Sequence, residues 1–120
     1  MKESENFKKL VKKDFEAGIL SGKKTSVLIF GTEYSGSAAM MNSMLKRVSR
    51  EFTSSVNFYK VDLIKQSKIS KFYKVKTAPT LLIIKENKVV ESLLGFTSAN
   101  EVRKIIRSLV DQNSQTSSNP

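Results

Sequence analysis

The stretch Val27 to Met41, VLIFGTEYSGSAAMM, constrains this chain more than any other. Val27, Leu28, Ile29 and Phe30 make a short apolar run, the pattern of a strand buried on both faces. Ser35, Gly36 and Ser37 are turn and helix N-cap residues. Met40, Met41, Met44, Leu45 and Val48 then recur at helical spacing. A helix beginning at the carboxyl end of a central strand is where open α/β folds usually place their chemistry. The turn between them holds no cysteine, histidine or lysine. It has the form of an active site without a reacting group.

The absence extends to the whole chain. No cysteine means no disulfide, no thiolate catalysis and no zinc–thiolate site. No histidine removes Ser-His nucleophilic catalysis and imidazole-bound metals. Neither a metal nor another cofactor is expected. A length of 120 residues with 39% apolar residues suits one globular domain around a single core. The opening MKESENFKKL is too polar for a secretory signal, and no apolar run approaches membrane-spanning length. A cytoplasmic protein without a membrane span, monomeric or weakly dimeric, is the resulting expectation.

The formal net charge is +10. Its excess is concentrated between Lys60 and Lys76, where six lysines meet one aspartate. Such a segment attracts anionic partners such as nucleic acid or an acidic surface. Alternatively, it solubilises a small domain, since it contains no arginine and few aromatics.

Along the chain, Phe7, Leu10, Val11 and Phe15 fit an amphipathic helix over about residues 5–17. A short strand around Leu10–Val11 followed by a helix capped at Asp14 fits the same residues. The helix from Ser37 should reach about Phe52, and VNFYKVD, residues 56–62, reads as a second strand. A shorter helix follows from Lys65 to Tyr73, with Ile69, Phe72 and Tyr73 inward and Lys65, Lys68, Lys71 and Lys74 outward. Pro79 stands ahead of the apolar run Thr80–Ile84, where a strand tolerates proline. Glu86-Asn87 is a two-residue hairpin turn, and Lys88 to Leu94 is the returning strand. Ser98 and Glu101 form a capping box for a last helix that buries Val102, Ile105, Ile106 and Leu109. The domain is expected to end at residue 111, with 112–120 a disordered polar tail.

The order α-β-α-β-α-β-β-α resembles the thioredoxin family. Tyr34-Ser35-Gly36-Ser37-Ala38 follows the central strand and Ala78-Pro79-Thr80 precedes the hairpin, and the likeness spans about Asp14 to Val110. The resemblance implies a thioredoxin-like α/β fold, with a central mixed sheet of about four strands flanked by helices. It implies that Pro79 takes the family's cis-proline position facing the turn, and that Gly95 is the glycine near the end of the last strand. It also implies that Ser35 and Ala38 stand where the family has its two cysteines. Ile29 replaces the buried aspartate, Lys60 is the lysine that lies near it, and Ala39 replaces a basic residue.

Disulfide exchange requires an attacking thiolate and a second thiol to release the mixed disulfide. Serine and alanine supply neither. Loss of the aspartate together with both cysteines indicates a natural redox-inactive relative; a cysteine-stripped oxidoreductase is the alternative. The function this implies is a non-catalytic module that binds a protein or peptide, with Tyr34, Gly36, Ala78, Pro79, Gly95 and Phe96 lining the groove. Polyanion or nucleic-acid binding through Lys65, Lys68, Lys71 and Lys74 is the competing reading.

Overall fold

A computed structural model describes residues 6–32 and 36–118, with side chains at all of these but 37, 38 and 111–118. Thr25–Gly31 forms β2, the central strand, and its alternation decides the architecture. Val27 and Ile29 enter one core with Met41, Leu45, Val48, Val102 and Ile106. Leu28 and Phe30 enter a second core with Leu10, Leu20, Tyr59 and Ile69 on the opposite face. A strand buried on both sides needs helices on both sides, so the chain folds as three layers.

The sheet has five strands in the order β1-β3-β2-β4-β5. The flanking strands are β1 (Phe7–Lys9), β3 (Val56–Asp62), β4 (Thr80–Lys85) and β5 (Lys88–Leu94). β1, β3 and β2 are parallel, β4 is antiparallel to β2, and β5 is antiparallel to β4. Helices α2 (Gly36–Ser49) and α4 (Ala99–Ser118) supply one face. Short helices α1 (Lys12–Glu16) and α3 (Ser67–Phe72) lie on the other. This is the thioredoxin-like mixed sheet with a terminal hairpin and helix.

The N-terminal segment is a strand followed by a helix, not the single helix that its spacing also permits. The strand lies earlier than Leu10–Val11, and α1 starts at Lys12 after Val11, ahead of Asp14. Long-range pairing decides it: Phe7 registers with Phe58, and their rings meet edge to face at 6.4 Å. Buried Asn6 fixes that register. Its amide donates to the carbonyls of Ser49 at 3.0 Å and Val56 at 2.9 Å. It therefore ties the end of α2 to the start of β3.

Two boundaries differ from the sequence reading. The Asp62 carboxylate accepts the N–H groups of Ile64 and Lys65, so Lys65 sits in a turn and α3 begins later, at Ser67. Phe72 faces outward at 65% exposure, against the edges of Phe15 and Tyr73. Helical backbone also continues past residue 111 to Ser118, and no glycine or proline interrupts it. Ser98 caps that helix through the Glu101 N–H at 3.1 Å, as its sequence signature suggests. Arg103 anchors the same helix to Glu51 at 2.8 Å and holds that carboxyl below the usual carboxylate range, chiefly by hydrogen bonding.

The hairpin turn offers a simple test of local strain. Glu86 and Asn87 both have positive φ, 50° and 71°, the geometry of a type I′ turn. Glutamate pays for that conformation with its Cβ, whereas asparagine and glycine adopt it readily. The pair Glu86→Asn with Asn87→Gly is expected to raise stability by about 1 kcal/mol in urea denaturation.

Candidate functional site at the carboxyl end of the central strand

Strand register brings three passages of chain to one end of the sheet. Phe30, near the end of β2, pairs with Thr80 at the start of β4, and Thr80 pairs with Leu94 at the end of β5. The turn after β2, the loop before β4 and the segment after β5 therefore leave the sheet side by side. Gly36, Pro79, Gly95 and Phe96 lie on these passages. Tyr34 and Ser35 lie outside the described residues, as does the side chain of Ala38.

The Ala78–Pro79 peptide bond is cis, and Pro79 is buried. Its carbonyl accepts the Gly95 N–H at 2.8 Å, and the Thr80 hydroxyl donates to the Thr77 carbonyl at 2.8 Å. Gly95 has φ +83°, a conformation that makes glycine the natural residue there. These contacts fix the loop at its base. Among the described residues, nothing pairs with the N–H or C=O of Ala78, which is half-buried. A peptide unit held at its base with donor and acceptor open is able to pair with an added strand.

Apolar surface surrounds this end. Phe96 is 57% exposed, Leu94 76% and Met40, early in α2, 62%. Met40 thus departs from the inward helical row in which its spacing places it, while Met41, Met44, Leu45 and Val48 are buried. Leu94 and Met40 escaped the sequence reading as site residues. Leu94 has a signal in its position just before Gly95; Met40 has none, because its apolar character fits the core row equally well.

Among the described residues there is no cluster of acidic side chains able to hold a metal ion, and no helix long and apolar enough to cross a membrane. Ile29, 1% exposed, packs into the core below the strand end. The four lysines of the competing reading are exposed, but they do not share one helix. Lys68 and Lys71 lie on α3, Lys65 in the turn before it, and Lys74 just beyond its end at φ +59°.

Residues 6–108 match the thioredoxin family model. The chain belongs to the thioredoxin family. It is 27% identical to a thioredoxin of Borreliella burgdorferi over 86 residues, which cover 72% of this chain and 74% of the relative. It is 26% identical to a thioredoxin of Chlorobaculum thiosulfatiphilum over 94 residues, 78% of this chain and 87% of the relative. Thioredoxin H4 of Arabidopsis thaliana is 27% identical over 84 residues, 70% and 71% of the two chains. Within this family the chain has no cysteine at all, so thiol–disulfide oxidoreductase activity is excluded for it.

Proposed function

We propose that this thioredoxin-family chain is a non-catalytic module that binds a protein or peptide in the groove between the 34–38 turn and the Pro79 loop. The observation that carries the reading is the open Ala78 peptide unit beside the cis bond to Pro79, next to exposed Phe96. An extended partner segment pairs its backbone with Ala78 and rests its side chains on Phe96, and the family resemblance adds Tyr34 to the residues that would receive it. Gly36 and Gly95 keep the approach clear, since a Cβ at either position meets open space. Loss of both cysteines leaves this recognition surface intact while removing the covalent step. Replacing Ala78 with glutamate puts a charge beside the open peptide and is expected to abolish partner capture without unfolding the domain.

A second reading rests on the exposure of Lys65, Lys68, Lys71 and Lys74. These cations would hold a polyanion through phosphate contacts, without base readout. Such binding weakens steeply with salt, while groove binding is carried by backbone pairing and apolar contact.

A further inference from the structure

We propose that the cavity between the first turns of α2 and the carboxyl ends of β1 and β3 binds a small amphipathic anion, a carboxylate or phosphate monoester with an apolar body. The cavity measures about 430 Å³, within the range of small-molecule sites. Its lining includes no residue of the Pro79 loop or of the segment after β5, so it is separate from the peptide groove.

Strand register explains its charge. Lys9 of β1 pairs with Lys60 of β3, and Lys60 pairs with Ile29 of β2, so the three occupy one row across the sheet. Side chains in such a row project from the same face, and neighbouring strands lie about 4.8 Å apart. Two lysines placed directly side by side repel each other. Among the described residues neither Lys9 nor Lys60 forms an ion pair, and Ile29 offers no charge to offset them. Among the described residues the lining holds one carboxylate, Asp62, which already uses Oδ1 to accept the N–H groups of Ile64 and Lys65. The adjacent ammonium groups of Lys9 and Lys60 suit a shared anionic group between them.

The remaining walls set the rest of the ligand. Ile29 and Ala39 are apolar residues of the lining on the α2 side, and Asn42 and Gln66 add amides. The Gln66 carbonyl oxygen is engaged by the Lys12 N–H at 3.1 Å, which orients that amide at the cavity edge. An inorganic ion would satisfy the lysines and leave the apolar walls wet. An anion with a short hydrocarbon or aromatic body satisfies both.

The test uses the full chain with sodium octanoate and octyl phosphate as probes, and 1-octanol and inorganic phosphate as controls, followed by calorimetry and amide NMR shifts. Both amphipathic anions are expected to bind one to one and to weaken with salt, with 1-octanol and inorganic phosphate each about tenfold weaker or more. Lys60→Gln should weaken octanoate about tenfold through loss of a charge-assisted contact. Ala39→Leu should fill the space and remove binding. Both substitutions are on exposed positions and should leave the unfolding midpoint nearly unchanged. Absence of saturable octanoate binding up to about 10 mM would overturn the proposal. Equal affinity for octanoate and 1-octanol, or octanoate affinity unchanged in both variants, would overturn it as well.

Discussion

Replacing Phe58 with alanine is expected to destabilise the fold by about 3–5 kcal/mol, a large share of the roughly 5–15 kcal/mol typical of a domain. Phe58 is fully buried on β3, which is hydrogen-bonded on both sides, to β1 and to β2. Its ring packs in the α2-side core and meets Phe7 edge to face. Neighbours anchored in two strands and a helix cannot easily collapse into the space left behind, so the cavity penalty adds to the lost burial. Phe72→Ala provides the contrast. That ring is 65% exposed, and its loss should cost less than about 1 kcal/mol. Urea denaturation followed by circular dichroism separates the two. Similar midpoints for the two variants would contradict this placement of Phe58 at the core.

Asn6→Ala is expected to cost about 2–4 kcal/mol, out of proportion to the few atoms removed. The side-chain amide spends its two protons on carbonyls near the end of α2 and the start of β3, with a longer approach of 3.4 Å to the Phe52 carbonyl. The Asn6 backbone carbonyl meanwhile accepts the Phe58 N–H at 2.6 Å. Removing the amide leaves buried acceptors without a donor, which costs far more than an exposed hydrogen bond. Asn6→Asp should be at least as damaging at neutral pH, because it sets a negative charge against carbonyl oxygens. A loss below about 0.5 kcal/mol in the alanine variant would show that water replaces the amide at this corner.

Much of this architecture was legible because its signals are local. The apolar run of β2, the row from Met41 to Val48, the Glu86-Asn87 turn and the Ser98 cap each state their own geometry within a few residues. The N-terminal segment does not. Phe7, Leu10 and Phe15 satisfy a helical stripe, and only the pairing of Phe7 with Phe58 selects a strand. The start of α3 was misread for a related reason: the lysine spacing looks helical, but the Asp62 carboxylate captures the next N–H groups first. Phe72 points outward because it completes a surface cluster with Phe15 and Tyr73, a contact between segments far apart in sequence.

The site shows the same division. Residue order places Gly36, Pro79 and Gly95 at ends of elements, and the resemblance supplies their association. The Phe30–Thr80–Leu94 register then gives a physical reason for these passages to converge. The open Ala78 peptide was not visible in composition or periodicity, since it depends on which backbone groups find partners. The pairing of Lys9 with Lys60 was equally hidden: their meeting is a fact of register between strands some fifty positions apart.

The most direct measurement is capture of partners from an extract of the source cells, nuclease-treated, by the wild-type chain and by folded Ala78→Glu in parallel. Groove recognition is expected to appear as one or more proteins held by the wild type and lost in the variant, with nuclease making no difference. The same set captured by both proteins would contradict it, and a set that vanishes on nuclease treatment would transfer the binding role to the lysine surface.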